Sequence, residues 1–125
     1  MLAKDVMIRS IYTIKPIKRI ALARLRMLRH GVGALPVVDD TNLLVGIITL
    51  RDIDLAGDQT YELNVNDLMT TALVTCSKDT PIDEIVEIML NTGLQRIPVT
   101  DNNGMLLGLI TQTVVIKAVK DSLTR

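Results

Sequence analysis

Few residues in this chain could do chemistry, and the best placed lie in Gly46-Ile47-Ile48-Thr49-Leu50-Arg51-Asp52. There a hydroxyl and a carboxylate stand three residues apart, where an apolar run gives way to a helical pattern. A carboxylate so placed can accept hydrogen bonds from two vicinal hydroxyls, such as those of a ribose, and its charge strengthens both. Thr49 can cap the helix or reach a phosphate, and a helix start favours anions. The same spacing also has a plain structural reading, with Thr49 as the N-cap and Asp52 as a first-turn acid complementing the helix dipole. Arg51 adds a cation or pairs with a surface acid. Arg96, two residues before Pro98, offers a second guanidinium, able to hold phosphate oxygens bidentately or to stand in solvent.

Other chemistries are excluded by composition. One cysteine and one histidine leave no disulfide framework and no metal-ligand cluster. Cys76 reads as a small buried apolar residue, because the one histidine, His30, lies in the other half of the chain. His30 ends a helix, where an imidazolium is favourable. No nucleophile–base pair or Gly-rich phosphate loop is visible, so an enzyme is not expected. With two tyrosines and no Phe or Trp, aromatic platforms for single-stranded nucleic acid are missing. Mean hydropathy is +0.34, yet no apolar run approaches the roughly 20 residues of a membrane helix. With no signal-peptide pattern at the N-terminus, a cytoplasmic protein is expected.

Stepping along the chain exposes a duplication. Leu35-Pro36-Val37-Val38-Asp39 recurs as Ile97-Pro98-Val99-Thr100-Asp101, and Gly46-Ile47-Ile48-Thr49 as Gly108-Leu109-Ile110-Thr111. Met7 and Met69, Met27-Leu28 and Met89-Leu90, and Gly31 and Gly93 keep the same offset without a gap. The expected division is repeat 1 over 1–56, a polar linker over 57–66 and repeat 2 over 67–125. Units of this size have marginal cores, so the two are expected to pack as one body.

Within each repeat the pattern predicts strand, helix, strand, strand, helix. In the second, Leu73-Val74-Thr75-Cys76 reads as a short strand, and Asp79-Thr80-Pro81 opens a helix with proline in its first turn. Ile82, Ile85, Val86, Met89 and Leu90 share one apolar face, and Gly93 stops the helix. A hairpin turns at Asp101-Asn102-Asn103-Gly104, matched by Asp39-Asp40-Thr41-Asn42, and the last helix turns Val114, Val115, Ala118 and Val119 inward. The six methionines read as core. The fold class is α+β, a duplicated β-α-β-β-α unit with two small mixed sheets and helices packed on them.

A strand, a helix, a P-V-x-D hairpin, a G-h-h-T segment and a helix, occurring twice in order, resemble the CBS domain; the pair resembles a CBS-domain pair, or Bateman module. The resemblance implies a regulatory module that binds AMP, ADP, ATP or S-adenosylmethionine in clefts between the copies and controls a partner, with no obligatory cofactor. An effector protein is expected as a separate partner, since the repeats fill the sequence given. The family's G-h-h-T-x-x-D signature falls on Thr49 and Asp52, with Arg51 beside them. Carried over by position, Met69, Ala72 and Val74 would face the base, and Gln95 and Arg96, just ahead of Pro98, the phosphates. The second cleft, with Met7, Ser10, Tyr12, Gly33, Ala34 and Thr111, has Val114 where the ribose carboxylate belongs. It is expected to bind weakly, with Tyr12 filling space or stacking on a base.

Residues 1–56 carry nine basic and five acidic groups, and residues 57–125 five and nine. The split fits self-attraction or polyanion binding. In the first helix Leu22 and Leu25 replace Glu84 and Glu87, and Arg24 replaces Val86. Its apolar face is therefore undetermined, and Leu22 with Leu25 suggests a contact surface. CBS pairs often dimerise through their helices, so a homodimer is expected. The alternative is a ligand-free adaptor acting through this basic helix; nucleic acid is not the expected partner.

Overall fold

The structure, a computed structural model, describes residues 1–124. Its elements in chain order are α1 (Ala3–Val6), α2 (Ile20–His30), β1 (Ala34–Val38), β2 (Leu44–Thr49), α3 (Leu50–Ala56), α4 (Val65–Leu68), α5 (Ile82–Thr92), β3 (Arg96–Thr100), β4 (Leu106–Thr111) and α6 (Gln112–Leu123). They divide into two compact units. Tyr12–Leu73 forms the β1–β2 unit, and Met1–Ile11 with the chain from Val74 onward forms the β3–β4 unit. The units are therefore offset from the sequence repeats: each takes its leading segment from the other repeat.

That exchange rests on equivalent contacts. In the β3–β4 unit the Ala3 N–H donates to the Thr80 carbonyl at 2.8 Å and the Lys4 N–H to that of Lys78 at 2.9 Å. In the β1–β2 unit the Val65 N–H donates to Lys18 at 2.7 Å and the Asn66 N–H to Pro16 at 2.9 Å. Ala3 and Val65 are both fully buried. The polar stretch expected as a linker is structured as well. A 3-10 turn spans Asp58–Thr60, and the carbonyls of Tyr61 and Leu63 accept from the first N–H groups of α2, groups no helix can satisfy internally.

Each sheet has a two-stranded antiparallel centre, with Ala34 opposite Thr49 in one and Arg96 opposite Thr111 in the other. Single-residue bridges flank them: Ile14 runs parallel to Val37 and Cys76 to Val99, while Thr70 and Ile8 lie antiparallel to Ile47 and Leu109. The sheets are mixed, but the strand expected over 73–76 shrinks to Cys76 alone. Only Cys76 turns into the core there, and Val74 and Thr75 are exposed, so no alternation sustains a longer strand. The first hairpin turns on Asp39, whose Oδ1 accepts from Thr41 Oγ1 at 2.7 Å and from the N–H groups of Thr41 and Leu43. These bonds, the Thr41 hydroxyl foremost, hold the Asp39 carboxyl below its usual range. Asn42 closes this turn at φ 71°, where the twin turn uses Gly104 at φ 83°.

Helix faces follow the repeat. α2 buries Ile20, Ala23 and Met27, and α5 buries Ile82, Ile85 and Met89 at the matching positions. α2 is thus not rotated. Arg24 needs no rotation because it reaches Asp54 on α3 in an ion pair. Leu22 packs partly against the core, leaving Leu25 exposed. Pro81 is the N-cap of α5 and not part of its first turn, and Gly93 ends the helix at φ 73°. In α6 only Val115 is fully inward; Val114 and Ala118 are half-buried and Val119 is exposed, because one stripe of this helix meets the sheet. Met7, Met27 and Met89 are core, Met69 and Met105 are half-buried, and Met1 is exposed. No helix among the described residues is long and apolar enough to cross a membrane.

Candidate functional site

At the end of β2 the chain passes directly into α3, and Thr49 caps that helix. Its Oγ1 accepts from the Asp52 N–H at 3.1 Å, and Asp52 Oδ2 accepts from the Thr49 N–H at 3.3 Å. This reciprocal box is the local reason for the Thr-x-x-Asp spacing. The Leu50 N–H is taken by the Gly33 carbonyl at 2.9 Å. Asp52 is half-buried, and its Oδ1 accepts no hydrogen bond among the described residues. The box consumes one carboxylate oxygen and leaves the other available. Arg51 is exposed and without an ion pair among the described residues.

Gly46 explains how a second segment reaches this strand. A Cβ there would lie 2.6 Å from Met69 Sδ and 3.0 Å from the Thr70 carbonyl oxygen. A side chain at 46 would crowd the segment in which Thr70 exchanges hydrogen bonds with Ile47, at 3.0 and 2.9 Å. Met69 is half-buried on this segment and Ala72 follows it, exposed. Thr49, Arg51, Asp52, Met69 and Ala72 thus belong to one unit, on β2, α3 and the segment paired with β2.

The β3–β4 unit repeats the scaffold with other side chains. Thr111 Oγ1 accepts from the Val114 N–H at 3.1 Å, but Val114 returns no carboxylate, and the first turn of α6 holds no acid. Across from Thr111 stands Arg96, half-buried and in no ion pair among the described residues. Ala34 takes the same place across from Thr49. Hairpin register therefore groups Arg96 with Thr111 and Ala34 with Thr49.

Val74, Gln95 and Pro98 lie in this unit too, Pro98 buried and the other two exposed. The Gln95 carbonyl accepts the Gln112 N–H at 3.0 Å. Gly108 admits Met7, whose Sδ would lie 2.5 Å from an added Cβ. Ser10 is exposed in this unit, whereas Tyr12 belongs to the other and stacks on His30, ring centroids 3.8 Å apart at 10°. One face of Tyr12 is thereby occupied by His30, a contact that sequence reasoning missed. Burial, with a smaller contribution from Glu84, pushes the Cys76 thiol up to about 11. The thiol is thereby held protonated at neutral pH. Among the described residues no group of His, Cys, Asp and Glu could hold a metal ion.

The duplicated hairpin-and-helix unit, with its paired glycines and capping threonines, defines a tandem small α+β module. The CBS domain model matches residues 3–56 and 65–121, and the chain belongs to the CBS-domain family. It is 36% identical over 113 residues to the inosine-5'-monophosphate dehydrogenase of Thermoplasma acidophilum, covering 90% of this chain but 22% of that enzyme. A 17.7 kDa protein of Acidianus ambivalens without assigned function is 35% identical over 113 residues, 90% of this chain and 69% of that one. Among solved structures, CBSX2 in complex with AMP superposes with a TM-score of 0.88 at 27% identity, covering 99% of this chain and 98% of that one. The CBS domain pair of MJ0100 in complex with 5-methylthioadenosine and S-adenosyl-L-methionine gives 0.87 at 27% identity, covering 98% of each chain.

Proposed function

We propose that this chain is a regulatory module that binds an adenosine-containing ligand through the Thr49–Asp52 junction and passes its state to a partner protein. The observation that carries this reading is the Asp52 carboxylate, fixed by its capping box through Oδ2 with Oδ1 left to accept. The compounds seen with CBSX2 and MJ0100 support it, since AMP, 5-methylthioadenosine and S-adenosylmethionine share adenosine and differ at the 5′ position. A ribose diol is common to all three; a phosphate is not. The ribose acid therefore carries the recognition, and Arg51 beside it tunes the choice of 5′ group. Met69 and Ala72 supply apolar surface for the base. The module acts as a homodimer in the cytoplasm, as expected of a sensor with exposed Leu25 and a divided charge.

A thermal-shift panel of adenosine, AMP, ADP, ATP, NAD and S-adenosylmethionine tests this reading. At least one adenosyl compound should raise Tm, and Asp52→Asn should remove the shift. Salt-sensitive binding to DNA or RNA that ignores Asp52→Asn, with no adenosyl compound shifting Tm, would replace it with the adaptor reading.

A further inference from the structure

Each unit seats one thioether in a glycine socket, and the two sockets differ in their access to water. Met7 packs against Gly108 and Met69 against Gly46, where an added Cβ would come within 2.5 and 2.6 Å of the respective Sδ atoms. Met7 is 9% exposed and belongs to its core, whereas Met69 is half-buried at the edge of the other core. Met27 and Met89 are 1% and 6% exposed, so Met1, Met69 and Met105 are the methionines that solvent reaches. Of these three, Met69 alone lies in a glycine socket.

The Gly46 socket offers no donor to an oxygen placed on that sulfur. Beside it lies the Thr70 carbonyl oxygen, 3.0 Å from the same Cβ position, which is itself an acceptor. The Thr70 carbonyl already takes the Ile47 N–H at 3.0 Å, and the Thr70 N–H is given to the Ile47 carbonyl at 2.9 Å. Met69 otherwise packs against the apolar cluster that contains Ile48 and Ile53. A sulfoxide is polar and larger than a thioether, and burying its oxygen without a hydrogen bond is costly. The oxygen must therefore turn to water, and residues 69–72 must move off β2 to let it do so.

We propose that Met69 is an oxidation site at which a peroxide switches off adenosyl binding by the β1–β2 unit. The thioether sulfur attacks one peroxide oxygen, and an S–O bond forms as the O–O bond breaks. The proton on the transferred oxygen passes to the departing one, which leaves as water or an alcohol. Sulfur loses two electrons and the peroxide gains them. Displacement of residues 69–72 then removes the apolar surface that Met69 and Ala72 offer the base. Met7, in the matching socket, is spared by burial. The consequence for binding rests on the ligand reading above; the oxidation site and the displacement do not.

Hydrogen peroxide on the full chain tests the site and its consequence separately. Peptide mass spectrometry should show Met69 gaining one oxygen about tenfold faster than Met7. Amide exchange at Ile47 and Thr70 should then accelerate, while that at Ile8 and Leu109, the matching pair in the other unit, should not. Affinity for AMP should fall about tenfold, and return when methionine sulfoxide reductases of both stereospecificities, driven by a thiol, remove the oxygen as water. In Met69→Leu, exchange and AMP affinity should be the same before and after peroxide, whereas Met105→Leu should stay as sensitive as the wild type. Cys76 is present in both variants and so cannot produce that contrast. If AMP does not bind before oxidation, the ligand reading fails, and the oxidation map and the exchange still decide the site. Met7 oxidised as fast as Met69, unchanged exchange at Thr70, unchanged AMP affinity after oxidation, or a Met69→Leu protein that remains peroxide-sensitive would each overturn the assignment.

Discussion

The β1–β2 and β3–β4 units share a backbone to the level of individual hydrogen bonds and divide the useful chemistry between them. The first has an acid at the helix start and an alanine across the hairpin; the second has a valine at the helix start and an arginine across the hairpin. The parts that stay constant are those the backbone needs. Glycine admits the incoming methionine at 46 and 108, threonine caps at 49 and 111, and glycine ends the helix at 31 and 93. What diverges projects from the scaffold without supporting it. Duplication thus separates scaffold from function inside one chain, and the differing positions are where function is to be sought.

The incoming methionines give the largest test of that equivalence. Met7 is 9% exposed in its core, whereas Met69 is only half-buried. Met7→Ala should cost about 2–5 kcal/mol, the range for a buried large-to-small change. Met69→Ala should cost less, since less surface returns to water, but should weaken adenosyl binding as Met7→Ala does not. Urea unfolding of both variants measures the first difference and calorimetry the second. Equal costs would mean that the two segments are held equally, whatever their burial.

Next in size is the divided acid. A ligand at about 100 Kd stabilises the fold by about 2.7 kcal/mol, roughly 2–8 °C in Tm for a chain of this size. Asp52→Asn keeps an oxygen for the Thr49 N–H while removing the charged acceptor, so the shift should vanish with little change in the ligand-free Tm. Val114→Asp rebuilds the missing half of the capping box in the other unit and should raise stoichiometry from one ligand per chain to two. Arg51→Ala should weaken AMP more than adenosine. Two equal sites in the wild type would erase the contrast between the units.

Much of this was legible in the sequence, because the repeat offset carries the architecture. A motif read twice in register predicts both hairpins, both long helices and the capped junction. The exchange of leading segments was not legible. Ala3 and Val65 are equally good core residues for either hairpin, and only three-dimensional pairing decides which they join. The face of α2 was obscured by Arg24, which reads as a polar residue on an inward position until Asp54, thirty residues on, is seen to meet it. Tyr12 on His30 left no pattern, since a stacked pair has no periodicity.

The smallest predicted effect concerns the ion pair that distinguishes the two helical faces. Arg24 and Asp54 have side chains 31% and 55% exposed. Partly exposed pairs of this kind contribute about 0–1 kcal/mol, because water screens the attraction and two long side chains lose freedom. Replacing them by their counterparts, Arg24→Val with Asp54→Ile, should therefore leave unfolding free energy within about 1 kcal/mol of the wild type. Burial of added apolar surface between α2 and α3 partly offsets the lost pair. Urea unfolding of the double variant reads this directly. A double variant that loses several kcal/mol would instead mean that the ion pair holds α2 to α3.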